Sequence, residues 1–187
     1  MVTRIKGTQS RSVETRTGIL LAVERLWQNR PFDSITIADI AAEAGVAKGS
    51  VLAHFSEKLS ILASFLAGYL DETSQSLAEK PGFARKAETL VGAIEPLLGH
   101  LLADKALLRL LTTEGDGVQC RAILDPAVLR LTQALEQGFD EAGFGDSVLC
   151  ADVFIALVVQ VVVAGYVSDV SGARDALTRL AGIIYRQ

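Results

Sequence analysis

The chain has 187 residues, half of them apolar and 21% charged, with 22 acidic against 18 basic side chains. That length suits one domain or two small ones around a sizeable core, and that composition is the profile of a globular rather than a disordered chain. Charge is unevenly divided: residues 1–30 carry Arg4, Lys6, Arg11, Arg16, Arg25 and Arg30 against Glu14 and Glu24, whereas from Leu59 onward ten Lys and Arg face sixteen Asp and Glu. A basic end on an acidic body points to a polyanion met by the N-terminal part alone.

Apolar residues recur at helical rather than alternating spacing, so the expected fold class is all-α. The first helix is expected over 10–28, with Leu20, Val23 and Trp27 on one stripe and Ile19 and Leu26 beside it; Pro31 ends it by pushing Arg30 out of the helical region. Two short helices follow, Thr36 to Ala44 and Ala47 to His54, separated only by Gly45 and Val46. A longer helix begins near Ser56 and stops at Pro81-Gly82. Further helices are expected at about 83–102, kinked or split by Pro96, then 104–113, 126–142 with Pro126 in the first turn, 147–168, and 172–185 capped by Ser171.

The most apolar run, Val153 to Val167, contains Gln160 and lies between Asp152 and Asp169. It falls short of the roughly 20 residues that a membrane-spanning helix needs, and reads as buried core. No cationic stretch, apolar run and cleavage site open the sequence, so a cytoplasmic location is expected. Cys120 and Cys150 have neither a disulfide-framework nor a zinc-ligand spacing. Neither a metal nor a cofactor is expected.

The informative stretch is Thr36 to Phe55. Two helices that cross through a short turn need a small residue at the contact and a turn residue tolerant of positive φ, and Ala41 and Gly45 stand in those places. Ile37, Ile40, Ala44, Val46 and Val51 are expected to face inward. The outward face of the second helix then begins with Ala47, Lys48, Gly49 and Ser50 and continues to Ala53 and His54. Its first residues would enter a major groove, where Lys48 reaches phosphate or guanine, Ser50 bonds phosphate or a base edge, and Gly49 allows the backbone close.

With Lys58 and Ile61-Leu62 added, the series Thr36, Ile40-Ala41, Ala44-Gly45-Val46, Lys48-Gly49 and His54-Phe55 resembles the TetR family of bacterial regulators over the first third of the chain. The resemblance implies a DNA-binding head at 1–55, with its helix-turn-helix at about 36–55, and an effector-binding and dimerisation domain at 56–187. It also implies a homodimer on a palindromic operator, with Thr36, Lys48, Ser50, His54 and Lys58 at positions that touch DNA and Lys58 on phosphate. The expected function is that of a repressor released from its operator by a small-molecule effector. Two departures bear on affinity: Ala47 stands where many members have a capping Ser, and Leu52 and Ala53 stand where a Tyr and a larger polar residue are frequent. The arm with Arg4, Lys6 and Arg11 is a candidate compensator through phosphate or minor-groove contacts.

In the C-terminal part, His100, Glu114, Asp116, Gln119, Phe154 and Gln160 are candidate effector contacts near helix ends and breaks. Segments 147–168 and 172–185 are apolar around much of their circumference, which suits a two-fold four-helix interface. No nucleophile, base and orienting acid stand together, so no enzyme is expected. The rival readings are a regulator-like partner-binding module with weak DNA binding, made conceivable by Leu52 and Ala53, and an α-helical enzyme or small-molecule carrier.

Overall fold

The computed structural model describes residues 3–111, 117–164, 167 and 169–186, the first eight of these through their backbone alone. They form α-helices and two 3-10 turns, with no strand among them. The chain divides into two compact units, residues 1–61 and 62–187, and the division falls inside a helix rather than at a linker.

The first unit holds α1 (Thr3–Trp27), a 3-10 turn at Phe32–Ser34, α2 (Ile37–Ala44), α3 (Lys48–His54) and the start of α4 (Lys58–Ala78). α1 begins seven residues earlier than its apolar stripe suggested, and within it the Thr15 hydroxyl donates to the Arg11 carbonyl one turn back at 2.8 Å. Its buried face is Ile19, Ala22 and Val23, with Leu20, Leu26 and Trp27 half-buried around it. These pack with Phe32, Ile35, Ile40, Ala41, Val51 and Phe55 into one small core.

The second unit continues α4 and adds α5 (Ala87–Ala93), α6 (Glu95–Ala103), α7 (Lys105–Leu110), α8 (Val118–Glu141), α9 (Ser147–Val163) and α10 (Val170–Ala181). The helix expected over 83–102 is broken as anticipated, with Ile94 separating α5 from α6 and Pro96 in the first turn of α6. α8 corrects the expected start at Pro126. It begins at Val118 and carries that proline inside. The proline leaves the Ala122 carbonyl without its helical donor, but both residues lie on the exposed face, where the cost of an unpaired carbonyl is small.

α10 is capped by Asp169, whose side chain accepts from the Gly172 N–H at 2.8 Å, and not by Ser171. It also stops at Ala181, four residues short of expectation. The following turn lets the Tyr185 hydroxyl donate to the Ala84 carbonyl at 2.9 Å. Phe144 stands edge-on between Phe139 and Tyr185, 5.2 Å from each ring centroid. Gly138 on α8 meets the Phe83 ring so closely that any Cβ would overlap it, which fixes the 3-10 turn at Phe83–Arg85 against α8.

Candidate nucleic-acid interface and apolar cavity

α2 starts with a reciprocal cap. The Thr36 hydroxyl accepts from the Asp39 N–H at 3.1 Å, and the Asp39 carboxylate accepts from the Thr36 N–H at 2.8 Å and from its hydroxyl at 2.9 Å. The backbone bond from Thr36, then its hydroxyl, then Arg30 hold the Asp39 carboxyl below its ordinary pKa. At the other end Gly45 takes φ +66°, and its N–H closes onto the Ala41 and Ala42 carbonyls. The turn therefore uses Gly45 as its left-handed residue and buried Ala41 as its contact point, as the spacing required.

Ala47 is the N-cap of α3, with extended backbone and no side-chain bond to the helix. Val51 is fully buried, Lys48, Gly49, Leu52 and Ala53 are exposed, and Ser50 and His54 are half-buried. Leu52, with 48% of its surface accessible, thus lies in the exposed face and adds apolar surface there.

Arg16 is the residue that sequence reasoning missed. Its guanidinium donates to the His54 carbonyl in the last turn of α3 at 3.0 Å and sits 4.1 Å from the centroid of the Phe55 ring. Partial burial lowers its pKa from the ordinary arginine value. The partner lies 38 residues away, so no local pattern announces the contact.

The basic surplus of the first thirty residues is partly consumed inside the head. Arg25 pairs with Glu43 at 2.6 Å and Arg30 with Asp39 at 3.0 Å. With Arg16 on α3, three of the six cations hold the fold together rather than forming an open basic patch. Arg11 is exposed, whereas the side chains of Arg4 and Lys6 lie outside the described residues. The Lys58 ammonium donates to the Asp33 carbonyl at 3.0 Å and lies 4.6 Å from the centroid of the Phe32 ring, beside the 3-10 turn.

This geometry, a glycine-turned pair of short helices with the second one presented outward, coincides with residues 19–65 matching the family model of the bacterial regulatory proteins of the tetR family. Residues 19–65 thus form a head of the TetR type, and the matched segment spans about a third of the length of the curated relatives. Over 62 residues it is 37% identical to the HTH-type transcriptional repressor BepR of Brucella suis, a match that spans 33% of this chain and 30% of that protein. Beyond the TetR-family head, likeness is one of fold. A TetR transcriptional regulator from Rhodococcus sp. RHA1 superposes with a TM-score of 0.70 at 16% identity, covering 96% of this chain and 98% of that one. FadR of Thermus thermophilus, a TetR-family repressor solved with lauroyl-CoA, does so with a TM-score of 0.66 at 19% identity, covering 91% and 93%.

The second unit holds a partly open cavity of about 350 Å³. Leu66 and Leu70 of α4, Leu97 and Leu101 of α6, Leu124 to Leu135 along α8, and Phe154 and Val158 of α9 wall it. The charged residues of the lining are Arg121 and Asp125, one turn apart on α8 and both exposed. Of the six candidate effector contacts, Phe154 lines this space. His100 instead stacks flat on Tyr69 with ring centroids 3.8 Å apart, Gln119 and Gln160 are exposed, and Glu114 and Asp116 lie outside the described residues. Polarity near helix breaks was the wrong guide to this cavity, whose walls are leucine and valine.

Among the described residues no three or more His, Cys, Asp or Glu side chains gather as metal ligands, and no helix is long and apolar enough to cross a membrane.

Proposed function

We propose that the protein is a homodimeric, cytoplasmic transcriptional regulator without enzymatic activity, a repressor whose two heads hold a palindromic operator until a small molecule enters the second unit. The observation that carries this reading is the α2–Gly45–α3 pair, which presents Lys48 and Gly49 on the open face of a helix short enough to seat in a major groove. Thr36, Ala47, Ser50, Ala53, His54 and Lys58 complete the proposed contact set. BepR is named a repressor and FadR was solved with an acyl-CoA, which supports repression and a small-molecule effector.

The cavity argues for a compact, mostly uncharged apolar effector, since its walls offer apolar contact and its charged pair sums to zero. Exposed Leu149 and Val153 on α9, and Leu180 on α10 with Ile183 just beyond it, supply an apolar face for pairing with a second copy. Two heads then meet successive major grooves about 34 Å apart. α4 contains the division between the units, and we read it as the element through which occupancy of the cavity alters the heads. An effector need favour the non-binding arrangement by only about 1–3 kcal/mol.

The test is binding of the purified chain to DNA from its own upstream region across a salt series. A steep fall in affinity with salt and a mass of two chains per duplex are expected; a flat salt dependence or a lone subunit on DNA overturns the reading.

A further inference from the structure

Four exposed residues of α3, Lys48, Gly49, Leu52 and Ala53, fill a single arc of about 140° at the 100° per residue of an α-helix. Lys48 alone among them has a side chain that hydrogen-bonds. Leu52 stands in the middle of this arc, and no atom beyond the local helix comes within 4 Å of where a Cβ on Gly49 would lie. Ala53 projects one methyl group. The face is therefore apolar and low in relief around a single leucine, suited to close approach and poor in groups that read donors and acceptors. The apolar feature that a major groove offers is the C5-methyl of thymine.

We infer that the recognition helix reads thymine methyl groups through Leu52 and Ala53, with Lys48 anchoring the approach, so that each operator half-site carries thymine where α3 lies. The inference rests on the DNA-binding reading above and adds the chemistry of its specificity. It turns the absence of a larger polar side chain from a weakness into a preference: hydrophobic contact with a methyl discriminates thymine from cytosine without a hydrogen bond.

The experiment uses the full chain and a duplex selected by it from random-sequence DNA. Thymines of both half-sites are replaced, one symmetric pair at a time, by 2′-deoxyuridine, which keeps the pairing and removes only the methyl. Loss of a methyl-sized apolar contact is expected to weaken binding about fourfold, and a symmetric pair by roughly an order of magnitude. Leu52→Ala, a change at an exposed position, is expected to bind less tightly and to lose sensitivity to that replacement. In a repeated selection, Leu52→Gln is expected to abandon thymine at the same position. Wild-type affinity that survives every deoxyuridine replacement overturns the inference while leaving DNA binding intact. Undiminished sensitivity in Leu52→Ala overturns it equally. A chain that selects no duplex at all sinks the DNA-binding reading and this inference with it.

Discussion

Arg16 and His54 are joined by a hydrogen bond of 3.0 Å from the guanidinium to the last-turn carbonyl of α3, and the same guanidinium lies over Phe55. One α1 side chain thus satisfies an end carbonyl that α3 itself leaves without a helical donor, and pins the helix C-terminus to the head core. Arg16→Ala is expected to cost about 1 kcal/mol in urea unfolding of the head. Amide exchange of residues 51–55 should accelerate and DNA affinity should fall. Arg16→Lys keeps the charge without the planar fork and should recover only part of the loss. Unchanged exchange in Arg16→Ala would show that α3 is held without it.

Asp39 gives the head a pH dependence with a defined sign. Its carboxyl titrates below the ordinary value because the folded state hydrogen-bonds the charged form. The stabilisation is therefore fully present above the ordinary carboxylate pKa and disappears as pH falls through the depressed folded value. Wild type and Asp39→Asn should differ in melting temperature at neutral pH and converge in acid. A constant difference across the range would exclude the carboxylate as the cause.

Ala47 leaves a cap unmade. The residue already has the extended backbone of an N-cap, φ −70° and ψ 150°, but lacks an oxygen to accept an α3 N–H. Ala47→Ser is expected to stabilise the head by about 1 kcal/mol. Chemical denaturation of the two proteins side by side checks this, and an equal or lower midpoint for the serine variant would contradict it.

Val128 lies at the edge of the cavity with 41% of its surface exposed, so a larger side chain there has somewhere to go. Val128→Trp is expected to fill the cavity from its rim, abolishing uptake of a neutral fluorescent probe such as N-phenyl-1-naphthylamine. Operator binding should persist. Retained probe uptake with a normal melting curve would place the apolar site elsewhere.

How far residues alone carry the protein can be judged at particular positions. Gly45, Ala41 and the apolar spacing around Ile40 and Val51 are local requirements of a tight helix pair, so the chain order displays them. The all-helical class and the break at Pro96 were legible for the same reason: backbone dihedrals and helical periodicity act over a few residues. Contacts set by distant partners were not legible. Arg16 reaches across 38 residues and Tyr185 across 101, and Arg25 and Arg30 spend their charge on α2. The position of Pro126 inside α8 and the leucine walls of the cavity belong to this second kind. Sequence fixes what each segment prefers to be, whereas burial, charge pairing and empty space arise only when segments far apart in the chain are packed together.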